Sequence, residues 1–448
     1  MTGGSLENCD GNAVFSRVVG DSRKAGPETL FVALKGANSD GHDYVVDALD
    51  AGSPAALVDR NPIGAAAVVV NETVEALTKL AAYVRDYTDP LVIGITGSVG
   101  KTSTKDFLAA VSRRKFETVA PERSFNNEIG VPITLLRLEM TTEVLICEMG
   151  ARGPGQIAEI CEYVRPQVGV VTNVDVAHLE KFGSQDSIAR SKSELIQSLP
   201  EGGTAVLNAD DELVMAMAEV TKADVMTFGL SSKATTTATD VEMSAGRASF
   251  RLVNGNERTP VQLKVVGRHQ VENALAAACA GLALGLTLEE CAAGIGEATA
   301  TPWRMETSVV HGVTLINDAW NSNPRALTAA LDAAEDIKRA GKGAGRVIAV
   351  LGYMAELGEI ERAEHLRMGR VAAHVCDRLV VVGERATGLL RGAEEEGLRD
   401  VRYSEDTQDA LQHLKDLRRG DVVLVKGSRA AGMEGMTEKI AALVDEPA

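Results

Sequence analysis

The chain has 448 residues, of which 45% are hydrophobic and only 4% aromatic, and its formal net charge is −17. The length predicts about three domains, and the acidic charge argues against a nucleic-acid scaffold, because such domains usually present a basic face. The six scattered cysteines are expected to be reduced thiols. Without a signal-peptide pattern or an apolar run near the ~20 residues that cross a bilayer, we expect a cytoplasmic protein without membrane insertion.

Residues 1–88 are predicted to form a small α/β unit. Short apolar runs indicate strands, and one longer segment has helical spacing. The strand candidates are LFVAL, AALVD and AAAVVV, and the helix candidate is EALTKLAAYVRDY. The proline in DYTDP then interrupts the pattern before the next unit.

Residues 89–302 alternate buried-strand runs with helical segments, which is typical of a mostly parallel sheet covered on both faces. The strand candidates are PLVIGIT, EVLICEMG, VGVVTNV and GTAVLNA. The helix candidates are KTSTKDFLAAVSR, GQIAEICEYV, SIARSKSELIQSL and DELVMAMAEV. Residues 235–266 look rich in strand, and ENALAAACAGLALG and TLEECAAGIGEA then predict two helices.

Residues 303–448 restart the alternation after a break at TATPWRME, which predicts a third, Rossmann-like α/β domain. The strand candidates are VTLINDAW, RVIAVLG, DRLVVVG and DVVLVKGS. The helix candidates are RALTAALDAAEDIKRA, AEHLRMGRVAAHV and DTQDALQHLKDLRR. The predicted fold class is therefore α/β in three domains: a small N-terminal one, a central one and a Rossmann-like C-terminal one.

The segment GITGSVGKTSTK lies between a predicted strand and a predicted helix, where a phosphate loop belongs. It misses the Walker A pattern by one position, because Ile95 stands where that pattern has glycine. Its glycines, Gly97 and Gly100, would let successive N–H groups face an anion. Lys101 could then reach the β- and γ-phosphates of a nucleotide and Thr102 could bind Mg²⁺, although a plain strand-to-helix turn would carry the same letters.

Three further residues of the central unit are candidates for metal binding. Glu148 ends a buried strand, where a carboxylate can hold Mg²⁺ or can simply terminate the strand. His178 and Lys192 flank a strand–loop–helix junction. Taken singly, a histidine is more often a hydrogen-bonding residue than a ligand, and a lysine is more often solvated.

Adjacent amides and a carboxylate mark two other loops. Asn126 and Asn127 precede a predicted helix and could bind a polar substrate or cap that helix. Asp318, Asn321 and Asn323 follow a strand at its carboxyl end, where open α/β sheets bind ligands. Turn formation is the alternative for this second group.

Polar residues also follow the first strands of the N-terminal unit. Arg23, Asp40 and His42 lie in predicted loops around a strand. Arg23 could meet a phosphate or a pyrimidine, and a structural turn explains these residues equally well.

These signals fall in an order that resembles the Mur ligase family along nearly the whole chain. The matching segments, in order, are DSR…LFVALKG…SDGHDY, GITGSVGKTSTK, NNEIGVPITLL, EMGARGPGQI, TNVDVAHLEKFGS, GRHQVENALAA, NDAWNSNP, LGYMAELGE and LVKGSRAAGME. In this family the phosphate loop is G-x-x-G-K-T/S, so the shortfall against Walker A is a property of the family. The segments N-N-x-I-G-V-P and N-x-N-P resemble the branch that uses D-alanyl-D-alanine.

The resemblance implies roles for particular residues. ATP would contact Gly97, Ser98, Val99, Gly100, Lys101, Thr102, Ser103, Asn273, Arg304 and Asp318. Mg²⁺ would be bound by Thr102, Glu148, His178 and Lys192, the last of these if it is carbamylated. The catalytic residues would be Lys101, Lys192, His178 and Glu148. The other substrates would contact Ser22, Arg23, Asp40, His42, Asn126, Asn127, Asn321 and Asn323.

The resemblance also implies a reaction and its partners. A carboxylate of UDP-N-acetylmuramoyl-tripeptide would attack the γ-phosphate of ATP, and the amine of D-alanyl-D-alanine would displace phosphate from the resulting acyl phosphate. Residues 1–88 would bind the UDP-linked substrate, residues 89–302 ATP, and residues 303–448 the amine. We expect a monomer.

Four positions depart from the family pattern. Val99 and Gln270 stand where the family commonly has Asn, Trp320 where it has Tyr, and Tyr353 where it often has Asp. The last two lie in the domain that would select the amine. A related ligase joining another acid and amine therefore remains an alternative, as does a nucleotide-dependent switch without ligase activity.

Overall fold

The computed structural model describes residues 2–36, 39–61, 64–122, 124–175, 179–341 and 345–445. Their strands form three sheets of five, nine and six strands. Each sheet lies within one of the three predicted units, and the α/β fold class is confirmed. The boundaries at residues 88/89 and 302/303 stay a prediction.

The first sheet is mostly parallel, with strand order β1-β5-β4-β3-β2 and an antiparallel edge pair β1–β5. Its strands are β1 (Ser5–Glu7), β2 (Arg17–Val19), β3 (Thr29–Val32), β4 (Ala55–Val58) and β5 (Ala67–Val69). Its helices are α1 (Val45–Asp50) and α2 (Thr73–Thr88). The inner strands β3 and β4 are buried throughout, as parallel strands covered on both faces must be.

The second sheet has the order β14-β13-β12-β11-β10-β9-β6-β8-β7 and is parallel from β7 to β12. Its strands are β6 (Leu91–Thr96), β7 (Thr118–Val119), β8 (Val144–Glu148), β9 (Val168–Val171), β10 (Thr204–Asn208), β11 (Asp224–Phe228), β12 (Thr236–Ser244), β13 (Arg247–Asn254) and β14 (Glu257–Val266). Its helices are α3 (Lys101–Ser112), α4 (Gly130–Leu135), α5 (Gln156–Val164), α6 (Leu179–Phe182), α7 (Gln185–Gln197), α8 (Glu212–Met215), α9 (Gln270–Ala283) and α10 (Leu288–Glu297). Because β6 lies between β8 and β9, the loops after these three strands meet at one edge.

The third sheet has the order β15-β16-β20-β17-β18-β19 and is parallel except for the edge pair β15–β16. Its strands are β15 (Glu306–Val310), β16 (Val313–Asp318), β17 (Val347–Leu351), β18 (Arg378–Val382), β19 (Val401–Ser404) and β20 (Val422–Lys426). Its helices are α11 (Pro324–Ala340), α12 (Glu361–Val375), α13 (Thr387–Glu395), α14 (Thr407–Ala410) and α15 (Met436–Asp445). The central strand β17 is buried at every position.

The helix predicted from DTQDALQHLKDLRR is much shorter than its sequence pattern suggests. Only α14 and one tighter turn, ending at Leu414, are helical. Arg378 donates to the carbonyl oxygen of His413 and to the carboxylate of Asp416. These tertiary contacts hold the residues after Leu414 in a non-helical conformation. The local periodicity of the sequence carries no information about them.

Two further features of the structure are the state of the cysteines and the length of the apolar helices. All six cysteines are free, and five of them are buried. In the part of the chain described here, no helix has the length and apolarity needed to cross a membrane.

Candidate active site

The loop after β6 has a backbone that only glycine allows at two positions. Gly97 has a φ of 147° and Gly100 a φ of 88°. A Cβ on Gly97 would lie 1.9 Å from Oγ1 of Thr172, and one on Gly100 would lie 2.3 Å from Oδ1 of Asn273. Helix α3 begins directly afterwards, at Lys101, so its first N–H groups have no acceptor within the helix and form an anion-binding end.

Lys101 lies over the loop that precedes it. Its Nζ donates to the carbonyl oxygens of Gly97, at 2.6 Å, and Ser98, at 3.3 Å. Burial lowers the pKa of Lys101, the carboxylate of Glu148 opposes that shift, and Arg304 adds to it. These two bonds hold Nζ close to the helix end, where phosphate oxygens would be received.

Thr102 and Glu148 are brought together although 46 positions separate them in the sequence. Oγ1 of Thr102 donates to Oε2 of Glu148 at 2.8 Å, and Nδ2 of Asn126 donates to Oε1 at 2.8 Å. Glu148 is only 1% exposed. A hydroxyl and a carboxylate are the hard oxygen ligands that Mg²⁺ prefers, so these two side chains fit the predicted metal site.

Thr172 and Asn173, which directly follow β9, hold the loop after β6 in place. Neither was among the predicted site residues. Asn173 accepts from the N–H of Val99 at 2.9 Å and donates to its carbonyl oxygen at 2.9 Å. Oγ1 of Thr172 donates to the same carbonyl at 2.7 Å. The N–H of Val99 is thus bound by Asn173, and contact of Val99 with ATP stays a prediction. The sequence feature that could have identified them is their position at the end of the predicted strand VGVVTNV.

Lys192 lies in α7 and is 4% exposed. Burial, with a further contribution from Lys101, lowers its pKa well below the usual range of lysine. Among the described residues no hydrogen bond or ion pair reaches its Nζ. His178, the other predicted ligand in this region, lies outside the described residues.

Arg304 approaches the loop from the segment between the second and third sheets. Its Nη2 donates to Oγ of Ser124 at 2.8 Å, and that hydroxyl is 3.0 Å from Oγ1 of Thr102. Ser103 and Arg304 both line a small cavity beside α3. Asn273, in α9, has its Oδ1 3.5 Å from Oγ1 of Thr104, so it packs under the loop.

The predicted asparagines are divided between capping and site contacts. Asn127 accepts from the N–H of Gly130 at 2.9 Å at the start of α4, and Asn323 is the N-cap of α11, accepting from Ala326. Asn321 is exposed, and its carbonyl oxygen accepts from Lys426. Only Asn126 contacts a site residue, and substrate binding by all four stays a prediction.

The residues predicted to contact the UDP-linked substrate lie at the first sheet: Ser22, Arg23, Asp40 and His42. Arg23 is exposed and pairs with Asp21, and Ser22 lies beside it in a single helical turn. His42 is buried, with Nδ1 2.6 Å from Asp40 and Nε2 accepting from the N–H of Asp59. The hydrogen bond from Arg60 holds the pKa of Asp40 well below its usual range. Both nitrogens of His42 are therefore engaged within the chain, and nucleotide binding by this group stays a prediction.

A groove of about 740 Å³ lies elsewhere, between β14 and α10. It is lined by residues such as Arg247, Lys264 and Glu289, and it contains none of the loop residues. Convergent polar groups locate a reaction site better than volume alone, so the loop after β6 is the candidate active site.

Together, a phosphate loop, a buried acid beside it and an arginine from the segment that leads into the third sheet define an enzyme that acts on a nucleoside triphosphate. Three family models match the chain: "Mur ligase family, catalytic domain" over 15–91, "Mur ligase middle domain" over 95–281, and "Mur ligase, glutamate ligase domain" over 303–429.

Curated and solved proteins agree with these matches. A UDP-N-acetylmuramoyl-tripeptide–D-alanyl-D-alanine ligase of Mycobacterium bovis is 41% identical, covering 96% of this chain and 94% of its own. MurF of Acinetobacter baumannii superposes with a TM-score of 0.84 at 31% identity, covering 96% of this chain and 94% of its own. MurF ligase of Thermotoga maritima, solved in complex with ADP, gives 0.82 at 28% identity, covering 97% and 99%. The chain belongs to the Mur ligase family.

Proposed function

We propose that this protein joins D-alanyl-D-alanine to UDP-N-acetylmuramoyl-tripeptide, with conversion of ATP to ADP and phosphate, in the synthesis of peptidoglycan precursors. The match to the mycobacterial ligase along almost the whole chain supports the substrates. The observation that carries the chemistry is the buried contact of Thr102 with Glu148 beside Lys101. We expect the reaction to take place in the cytoplasm.

The first step is transfer of the γ-phosphoryl group to the substrate carboxylate, which creates a leaving group that a carboxylate lacks. Lys101 and the amides at the start of α3 would hold the phosphates, and Arg304 would add a second cation. Mg²⁺ held by Thr102 and Glu148 would neutralise charge on the transferring group. The amine of the dipeptide then attacks the acyl carbon, and phosphate leaves.

We further propose that the three units divide the substrates between them. Residues 1–88 would bind the UDP-linked substrate and residues 89–302 would bind ATP, while residues 303–448 would bind the dipeptide and complete the ATP site. Carbamylated Lys192 would support a second Mg²⁺. Its lowered pKa supports this, because only a neutral amine reacts with carbon dioxide.

Phosphate release measured with ATP, UDP-N-acetylmuramoyl-tripeptide and one amine at a time tests the proposal. We expect release with D-alanyl-D-alanine and little with L-alanyl-L-alanine or single amino acids. Phosphate release with a different amine would show that the protein is a related ligase. Trp320 and Tyr353 would then be the first residues to examine for the changed amine specificity. ATP hydrolysis that no amine accelerates would favour the nucleotide-dependent switch.

A further inference from the structure

Lys426 is a buried charged residue for which the proposed mechanism has no use. It ends β20 and is only 1% exposed. Its Nζ donates to Oδ2 of Asp318 at 2.5 Å and to the carbonyl oxygen of Asn321 at 2.8 Å. Lys426 and Asp318 are register partners at the carboxyl ends of neighbouring strands. A buried ion pair is poor evidence of stability by itself, so its neighbours indicate its role.

The other carboxylate oxygen of Asp318 contacts the segment that precedes the third sheet. Oδ1 accepts from the backbone N–H of Met305 at 3.1 Å. Met305 has a φ of 52° and Trp303 a φ of 64°, so two non-glycine residues in the left-handed region flank Arg304. This conformation is costly for such residues, and the bond from Met305 to Asp318 is one contact that holds it.

Arg304 connects this segment to the nucleotide site. Its Nη2 donates to Ser124, whose hydroxyl contacts Thr102, and its buried Nε has no hydrogen-bond partner among the described residues. Its guanidinium group also lies over the ring of Trp320, 5.7 Å from the ring centroid. One hydrogen bond and one ring contact leave most of its five donors unused, so the backbone on either side contributes to its orientation.

We propose that Lys426 is a positioning residue that acts on Arg304 through Asp318 and the N–H of Met305. By neutralising Asp318 and fixing its carboxylate plane, Lys426 sets the backbone of Met305 and thereby directs the guanidinium group of Arg304 toward the phosphate loop. This inference rests on the proposed function, in which Arg304 contacts ATP. It gives the third unit a physical link to the metal-binding side chains of the second.

The kinetic test uses Lys426→Met and Asp318→Asn, which remove either end of the pair, with Lys426→Arg as the charge-conserving control. We expect kcat to fall about tenfold in the first two variants, the scale of couplings through such networks. The KM for UDP-N-acetylmuramoyl-tripeptide should stay unchanged, and Lys426→Arg should recover most of kcat. Wild-type kcat in a folded Lys426→Met variant would overturn the proposal.

A double-mutant cycle separates positioning from a general loss of stability. If Lys426 works through Arg304, Lys426→Met should cost less than about twofold in kcat when Arg304 is already alanine. Losses that multiply would show that Lys426 acts by another route and would overturn the proposal.

A second readout is independent of ligase activity. The only two tryptophans of the chain, Trp303 and Trp320, stack at 6.0 Å beside Arg304. We expect Lys426→Met to change their fluorescence emission, and unchanged emission would overturn the positioning role. Absence of ligation by the wild-type enzyme would instead overturn the proposed function.

Discussion

At the residue scale, we expect phosphate binding to depend most on Lys101. Lys101→Ala should leave the fold intact and abolish ATP turnover, because the loss of one preorganised electrostatic group costs ~3 kcal/mol of transition-state stabilisation or more. Phosphate release, with circular dichroism as the test of folding, measures this.

The matched control for this variant is Lys105→Ala, on the same helix. Lys105 is buried, and it pairs with Asp106 and the carbonyl oxygen of Pro121. We expect that variant to lose stability and keep its turnover. Near-normal turnover in a folded Lys101→Ala variant would mean that the loop is only a turn.

Lys192 gives a second prediction at this scale. Lys192→Ala should be inactive and should regain part of its activity when short carboxylates are added, because these can replace the anion of a carbamate at the metal. Lys222, which is exposed, supplies the control variant Lys222→Ala. Full activity of Lys192→Ala would remove this residue from the mechanism.

At the element scale, a histidine joins α12 to the loop after β17. Nδ1 of His365 lies 2.7 Å from the carbonyl oxygen of Glu361, and Nε2 accepts from the N–H of Met354 at 2.8 Å. Burial lowers the pKa of His365, which is only 1% exposed. The neutral tautomer that both bonds require is therefore the one that the fold favours.

The lowered pKa of His365 sets the sign of a pH dependence. The unfolded chain binds the proton more readily, so this contribution is complete above the unfolded pKa of ~6.5 and is lost as the pH falls toward the folded value. The loss is at most about 1.4 kcal/mol per pH unit. Hydrogen exchange of the Met354 amide, corrected for intrinsic rates, should show falling protection between pH 7.5 and 5.5.

His365→Gln is the control for this effect, because its amide oxygen can accept from Met354 without titrating. In that variant we expect protection of the Met354 amide to be nearly independent of pH. An equal decline in both proteins would assign the pH dependence to other groups around the loop.

At the scale of the whole molecule, the substrates would bind on three sheets and must be brought together. Chemistry needs reacting atoms ~3–3.5 Å apart, and closure protects an acyl phosphate from water. We expect the hinges in the segments DYTDP and ATATPWR. Each contains a residue with a positive φ, Asp89 in the first and Trp303 in the second. We expect ATP and the UDP-linked substrate together to compact the protein in solution scattering more than either does alone.

Asp318→Ala tests which contact controls this compaction. Because Asp318 ties the third sheet to Met305, the variant should compact less while still binding the UDP-linked substrate. An unchanged radius of gyration of the wild-type protein with both ligands bound would contradict closure and favour a preassembled site.

The sequence by itself determined the units and the position of the loop. Apolar runs predicted the inner strands, because strands of a parallel sheet are buried on both faces and leave an unbroken pattern. Gly97, Gly100 and Lys101 were identified because a glycine-bearing turn before a helix is a local feature. The edge strands leave no such signal, because β1 is exposed at every position and β15 is exposed at most positions.

Only the tertiary structure decided which distant side chains meet. Thr102 and Glu148 touch because β6 and β8 are neighbours in the sheet, and Asn173 reaches Val99 because β9 lies on the other side of β6. The link from Lys426 to Arg304 crosses from one sheet toward another and has no counterpart in local periodicity. Hydrogen bonds between residues far apart in sequence depend on strand order, and strand order follows from packing of the whole chain.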